Sequence, residues 1–246
     1  MTSPIGLIGL GAMGRGMAGS LRRAGYAIHV FDVRPDAVQA FTADGGVGCA
    51  SPGELASRCD IVVSVVVNAA QTEEVLFGAQ GAAASMKPGH LFVMCSTVDP
   101  NVSIAFEKRL AERGILYLDA PISGGAAKAA AGEMTMMTAG RPEAYAKCGT
   151  ILDDMAAHVY KLGDRAGPGS TVKIVNQLLA GVHIAAGAEA MALGIRAGAD
   201  PTQLYEVITH SAGNSWMFEN RMAHVLAGDY TPLSACLLYT SPSPRD

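Results

Sequence analysis

The chain has 246 residues, of which 50% are hydrophobic and 16% are charged, so it can bury a substantial core and disorder is not expected. The formal net charge of −4 and the lack of a basic run argue against binding to nucleic acid or to a membrane surface. The five cysteines are scattered without disulfide or metal-ligand spacing, which predicts reduced thiols, no metal site and a cytoplasmic protein.

Short apolar runs alternate with Ala-rich helical stretches along the first two thirds of the chain. This alternation predicts an α/β fold, a Rossmann-type doubly wound parallel sheet with crossover helices. The predicted strands are Ile5–Leu10, Ile28–Asp32, Ile61–Val66, Leu91–Met94, Leu116–Asp119, Met134–Thr138 and His158–Lys161. The predicted helices between them are Met13–Ala24, Ala37–Ala43, Ser51–Ser57, Thr72–Leu76 and Asn101–Arg113.

A Gly-rich turn after residue 163 predicts a boundary between a nucleotide-binding domain, residues 1–163, and an all-α domain, residues 164–235. One long helix is predicted from Thr171 to Ala197, and its apolar character on most sides predicts burial against other helices. Further helices are predicted to start at Asp200, where proline follows in the first turn, and at Asn214.

The last eleven residues, 236–246, differ in character from the rest of the chain. Their sequence, Cys-Leu-Leu-Tyr-Thr-Ser-Pro-Ser-Pro-Arg-Asp, resembles the translation of an adapter used in DNA library preparation. We therefore expect an artefactual tail and a truncated helical domain. The alternative is a genuine tail rich in proline and serine.

A Gly-rich loop follows the first predicted strand and opens the first predicted helix, the context in which such a loop binds a dinucleotide. Gly9 permits a tight turn, Gly11 allows the pyrophosphate to approach, and Gly14 allows the helix and the strand to pack closely. The phosphates would then meet the amino end of the helix. The predicted cofactor-binding residues of this loop are Gly9, Leu10, Gly11, Ala12, Met13 and Gly14.

Asp32 ends the second predicted strand, where an acidic side chain accepts hydrogen bonds from the adenosine ribose. A carboxylate there repels a 2′-phosphate, so we expect NAD rather than NADP, although Arg34 would soften this preference. Ser96 and Thr97 follow the fourth predicted strand at the ligand-binding edge of the sheet and are expected to contact the cofactor. The alternative for this second segment is a helix-capping turn.

The segment Asp119-Ala-Pro-Ile-Ser-Gly-Gly continues from the fifth predicted strand. The amides of Gly124 and Gly125 can approach an anion closely, and Ser123 adds a hydroxyl donor. These three residues predict a binding site for a substrate carboxylate. An ordinary turn after a strand is the alternative.

Lys173 is the candidate general acid and base. It shares one helical face with Asn176 and Gln177. Apolar neighbours would desolvate its ammonium group and lower its pKa towards neutrality. The alternative is a lysine whose alkyl chain is buried while its charge reaches solvent.

These motifs together resemble the β-hydroxyacid dehydrogenase (3-hydroxyisobutyrate dehydrogenase) family, over residues 3–235. The helical segment from residue 169 looks most like the L-threonate dehydrogenase branch. The resemblance implies NAD-dependent oxidation of a small hydroxy acid with Lys173 as the catalytic residue, in a homo-oligomeric enzyme, a dimer or a tetramer. It also implies that Asn176 and Gln177 bind substrate and that Asn214 and Ser215 bind its hydroxyls. Gln177 departs from the family, which more often has asparagine there.

Other functions are compatible with parts of this pattern. The same fold would serve 3-hydroxyisobutyrate dehydrogenase or tartronate semialdehyde reductase, which differ in substrate. A nucleotide-binding module without turnover is a second alternative, against which the retention of Lys173 argues. Imine reduction is a third, and that chemistry does not usually keep this lysine.

Overall fold

The computed structural model describes residues 3–229 of the chain. The contacts within it divide the chain into two units, Met1–Ile174 and Val175–Asp246. The predicted tail at residues 236–246, and the predicted end of the helical domain at residue 235, lie outside the described residues.

The first unit is built on a nine-stranded mixed sheet with the strand order β3-β2-β1-β4-β5-β6-β8-β7, in which β9 also pairs with β8. The strands are β1 Ile5–Ile8, β2 Ile28–Phe31, β3 Val47–Gly48, β4 Ile61–Ser64, β5 Leu91–Met94, β6 Leu116–Asp119, β7 Ile122–Ser123, β8 Met134–Gly140 and β9 Ala156–Lys161. The first six strands are parallel and follow the doubly wound dinucleotide-binding order. The prediction of a Rossmann-type fold is therefore confirmed, with antiparallel pairing where β8 meets β6 and β7.

Helices cover both faces of this sheet, because the strands are apolar on both sides. Alternate strand residues belong to two hydrophobic clusters: Leu91 and Val93 face one, and Phe92 and Met94 face the other. The helices of the first unit are α1 Ala12–Arg23, α2 Pro35–Ala43, α3 Pro52–Arg58, α4 Ala69–Phe77, α5 Pro100–Ala111, α6 Gly125–Ala131, α7 Pro142–Cys148 and α8 Ile151–Met155, with a 3-10 helix at Ala82–Ala84.

The predicted elements differ from the observed ones mainly at their ends and in the short elements. The first strand ends at Ile8 because Gly9 has a φ of +97°, which ordinary strand residues do not adopt. The short strands β3 and β7 and the helices α6, α7 and α8 were not predicted. Each is seven residues or shorter.

The helices that follow are α9 Pro168–Arg196, α10 Pro201–Thr209 and α11 Trp216–Leu226. Asp200 caps α10, since its carboxylate accepts a hydrogen bond from Gln203 N. A small core of Met191, Phe218 and Met222 holds the second unit together.

The helix α9 is apolar on all sides, yet it is largely exposed in the described part of the chain. Only 11% of its most apolar 18-residue window is buried, and Leu178 and Leu193 are 65% and 72% exposed. The expectation that this helix is buried is therefore not met, because the described residues form only a small core beside it. By length and composition alone, α9 is long and apolar enough to cross a membrane.

Candidate active site

The Gly-rich loop after β1 has the geometry that a dinucleotide requires. A side chain at Gly9 would lie 2.5 Å from Val65 O, and one at Gly14 would collide with Gly9 O, so both positions need glycine. No atom lies within 4 Å of the position that a Cβ of Gly11 would take. The loop therefore leaves open space at Gly11, directly before α1, which begins without a side-chain cap.

Asp32 lies beside this loop, immediately after β2. Its Oδ2 accepts a hydrogen bond from Leu10 N at 2.6 Å and its Oδ1 accepts one from Arg34 N at 2.8 Å. Arg34 lies 3.4 Å from the same carboxylate and donates a hydrogen bond to Leu10 O. The loop and an 8% exposed carboxylate thus form one hydrogen-bonded unit, which fits the phosphates and ribose of NAD.

Ser96 and Thr97 follow β5 at the same edge of the sheet as Gly9. Ser96 is buried and its Oγ accepts a hydrogen bond from Thr72 Oγ1 at 3.2 Å, whereas Thr97 is exposed. The cap of α5 is Asp99, whose carboxylate accepts a hydrogen bond from Asn101 N. The helix-capping alternative therefore applies to Asp99, and it leaves the exposed Thr97 available to a ligand.

The predicted carboxylate-binding loop lies between β7 and α6. Ser123 ends β7, and Gly124 and Gly125 follow with φ angles of +142° and +81°, which a residue with a side chain rarely adopts. No atom lies within 4 Å of a Cβ placed on Gly125, whereas one on Gly124 would lie 3.0 Å from the Lys128 Cβ. The loop is open at Gly125, as an approaching anion requires.

Lys173 lies in the second turn of α9 and is only 7% exposed. Burial lowers the pKa of its ammonium group from 10.5 to about 8. A lysine with this pKa exchanges a proton near neutral pH. The side chain is thus buried, unlike a lysine that extends its charge into solvent.

The other predicted substrate-binding residues lie in the second unit. Asn176 and Gln177 are partly buried on α9, where Asn176 Nδ2 donates to Gln177 Oε1 at 3.3 Å. Ser215 caps α11, since its Oγ accepts a hydrogen bond from Phe218 N at 3.1 Å. Asn214 Nδ2 donates to Thr209 O, while its Oδ1 is buried without a hydrogen-bond partner among the described residues.

Two further features bear on the chemistry. Among residues 3–229, no group of three or more His, Cys, Asp or Glu side chains is placed to hold a metal ion. The four cysteines in that range are free and buried. Burial raises the pKa of the Cys59 thiol to about 12, so that thiol remains protonated at neutral pH.

Comparison with known proteins agrees with this geometry. Residues 4–163 match the family model described as the NAD binding domain of 6-phosphogluconate dehydrogenase. Residues 167–240 match the model described as NAD-binding of NADP-dependent 3-hydroxyisobutyrate dehydrogenase.

Among curated relatives, L-threonate dehydrogenase of Cupriavidus necator is 64% identical over 96% of this chain and 79% of its own length. L-Threonate dehydrogenase of Haemophilus influenzae is 50% identical over 94% of this chain and 77% of its own length. A crystal structure named 3-hydroxyisobutyrate dehydrogenase, from Salmonella typhimurium, is 49% identical with a TM-score of 0.89, covering 95% of this chain and 82% of that one. An imine reductase from Myxococcus stipitatus has a TM-score of 0.78 at 18% identity, over 92% of this chain and 76% of that one, which shows a shared fold only.

These matches confirm the predictions of an NAD cofactor and of a dehydrogenase. They cover both the nucleotide-binding sheet and the helices after it. The chain belongs to the β-hydroxyacid dehydrogenase family, and it is an NAD-dependent hydroxyacid dehydrogenase.

Proposed function

We propose that the protein oxidises L-threonate to 2-dehydro-L-erythronate with NAD. The observation that carries the chemistry is the buried Lys173, whose pKa of about 8 suits proton exchange near neutral pH. The observation that supports the substrate is the 64% identity to a protein named L-threonate dehydrogenase.

The first unit supplies the residues proposed to hold NAD, which accepts a hydride from the carbinol carbon. Amide groups of the loop from Gly9 to Gly14 bind the pyrophosphate at the start of α1. Asp32 accepts hydrogen bonds from the ribose, and its charge disfavours a 2′-phosphate. Thr97, with Ser96 beside it, contacts the cofactor at the end of β5.

Lys173 is proposed to act as the general base in oxidation. With its pKa near 8, a useful fraction of Lys173 is neutral at physiological pH, so that Nζ can accept the proton of the substrate hydroxyl. The protonated Nζ donates that proton in the reverse reaction. Ser123, Gly124 and Gly125 hold the substrate carboxylate through a hydroxyl and two backbone amides.

Recognition of the substrate hydroxyls is proposed for polar groups of the second unit. These groups are Asn176, Gln177, Asn214 and Ser215. The buried Asn214 Oδ1, which has no hydrogen-bond partner among residues 3–229, is an acceptor that a substrate hydroxyl would satisfy. We propose that residues 1–163 form the cofactor domain and that residues 164–235 belong to the substrate and oligomerisation domain.

The experiment is a comparison of kcat/KM for L-threonate and 3-hydroxyisobutyrate with NAD. A site that bonds several substrate hydroxyls rejects an analogue with a methyl group in their place, because its polar groups are then left unpaired. We expect L-threonate to be preferred by at least about a hundredfold. Equal values, or a preference for the methyl-bearing acid, would contradict the proposed substrate.

A second candidate is 3-hydroxyisobutyrate or tartronate semialdehyde as the substrate. It is supported by the 49% identity to the structure named 3-hydroxyisobutyrate dehydrogenase. The same panel of acids, extended to tartronate semialdehyde with NADH, distinguishes these substrates from L-threonate.

We also propose that the enzyme is a cytoplasmic homo-oligomer, a dimer or a tetramer, that binds neither nucleic acid nor a membrane. The support for association is the apolar surface of α9, where Val175, Leu178, Leu179 and Val182 are each at least half exposed. A second copy of the chain would bury these side chains. Sedimentation equilibrium without detergent measures the assembly, and a stable monomer would contradict it.

A further inference from the structure

Asp119 is a fully buried carboxylate at the end of β6, and both of its oxygens accept hydrogen bonds. Its Oδ2 accepts from Gly167 N and from Ser170 N, each at 2.9 Å. Its Oδ1 accepts from Ser170 Oγ at 2.6 Å. A buried carboxylate is costly unless it is hydrogen-bonded in this way, and such charge-assisted bonds are strong and directional.

These three donors all belong to the start of α9. Helix α9 begins at Pro168, and Gly167 before it has no side chain with which to cap the helix. Asp119 therefore supplies, from a neighbouring strand, the acceptor that a serine or aspartate cap normally provides. A Cβ on Gly169 would collide with Met137 O, so this turn of the helix lies directly against β8.

Lys173 follows closely after the turn of α9 that Asp119 binds. Ser170 and Lys173 are three residues apart and therefore share one face of α9. Ser170 is 1% exposed and Lys173 is 7% exposed, whereas Thr171 and Val172 between them are exposed. Asp119 is also four residues before Ser123, so one strand end joins the carboxylate-binding loop to the helix that carries Lys173.

We propose that Asp119 is a positioning residue that fixes the start of α9 and thereby holds Lys173 in register with the loop at Ser123. This inference rests on the proposed function, in which Lys173 exchanges the proton. A reacting group that is displaced by about 1 Å costs about a hundredfold in rate. The loss of the bonds at Asp119 would allow such a displacement while leaving the Gly-rich loop intact.

The test is Asp119→Asn, which keeps the size of the side chain and removes its charge. We expect kcat for L-threonate to fall by about ten- to a hundredfold, with the Kd for NADH unchanged. Water that reaches Lys173 at a loosened helix start would relieve its desolvation. The pH midpoint of kcat/KM should therefore rise above the value near 8 expected for the parent. Ser170→Ala removes one of the three hydrogen bonds to Asp119. It should lower kcat and raise the pH midpoint, each by less than Asp119→Asn does.

Asp200→Asn is the matched control, because it is the same substitution at the carboxylate that caps α10. We expect it to change neither kcat nor the pH midpoint. A lower kcat in Asp119→Asn at an unchanged pH midpoint, matched by a lower active fraction, would show a merely structural role and overturn the inference. If that variant does not fold, an unchanged kcat and midpoint in Ser170→Ala overturn it equally.

Lys173→Ala, measured in parallel, separates this inference from the function on which it rests. Full turnover in Lys173→Ala would overturn the proposed role of the lysine. Loss of turnover in Lys173→Ala, with parental kcat and pH profile in Asp119→Asn, would overturn only the role of Asp119.

Discussion

Replacing Lys173 by methionine should make the folded protein more stable at neutral pH while it abolishes turnover. Methionine fills a similar space with an unbranched apolar side chain, so the helix keeps its shape. The lysine must keep a charge in a buried site at neutral pH, and burial of that charge lowers its pKa from 10.5 to about 8. The folded state bears this cost, whereas the unfolded chain does not.

The size of the effect follows from the pKa difference. At about 1.4 kcal/mol per pH unit, the change from 10.5 to about 8 corresponds to about 3 kcal/mol. Below about pH 8 the lysine is protonated in both states, so the folded protein carries the whole cost. Between about pH 8 and 10.5 the unfolded chain binds more protons, so the parent gains stability as pH rises. Above that range both states are neutral and the cost is absent.

The measurement is the free energy of unfolding in urea for the parent and for Lys173→Met, at several values from about pH 7 to about pH 10.5. The advantage of the variant should be up to about 3 kcal/mol at neutral pH and should disappear at the alkaline end. Lys108→Met, at an exposed lysine of α5, should show no such pH-dependent gain. A difference that does not vary with pH, or a variant that is less stable at neutral pH, would refute the assignment of a costly buried charge.

Three further outcomes are expected. In oxidation, kcat/KM should rise with pH to a plateau above about 8, because neutral Lys173 is the base, and a flat profile would contradict that role. Asp32→Ala should weaken NAD binding about tenfold, because one hydrogen bond to a charged group is lost, and should narrow the preference for NAD over NADP. Fluorescence titration with both cofactors measures these affinities, and a parent protein that prefers NADP would contradict the assignment of Asp32. Gly14→Ala should abolish NAD binding because its Cβ collides with Gly9 O, whereas Gly19→Ala on the same helix, where the nearest atom is 3.5 Å away, should retain it.

The strands of the sheet were predictable because their sequences carry a strong local signal. Leu91–Met94 is a continuous apolar run, and Leu116–Asp119 is an apolar run that ends in an aspartate; the predicted and observed limits of both strands agree. The first strand was predicted two residues too long, because apolar character continues through Leu10 while the backbone changes at Gly9. The hydrophobic pattern of a sequence does not indicate where the backbone φ angle changes.

The helix α6 shows why part of the candidate site could not be predicted. Its residues, Gly125–Ala131, begin at the second of two glycines that signal a turn, and a run of alanines has no polar face from which to read a period. The exposure of α9 was also not predictable, because an apolar helix has the same sequence whether its own chain or another molecule covers it. The formation of α6 and the exposure of α9 both depend on tertiary structure.

The hydrogen bonds to Asp119 could not be predicted from the sequence, because no local sequence pattern contains them. Its bonds join residues 119 and 170, which are 51 positions apart, and the sequence motif marks only the first of them. The burial that makes Lys173 reactive also costs about 3 kcal/mol at neutral pH. A hydrogen bond to a charged group contributes about 1.5–3 kcal/mol, and the three bonds at Asp119 offset the burial of its own carboxylate. The strand end that leads to the carboxylate-binding loop thus also holds the first turn of the helix that carries the buried lysine.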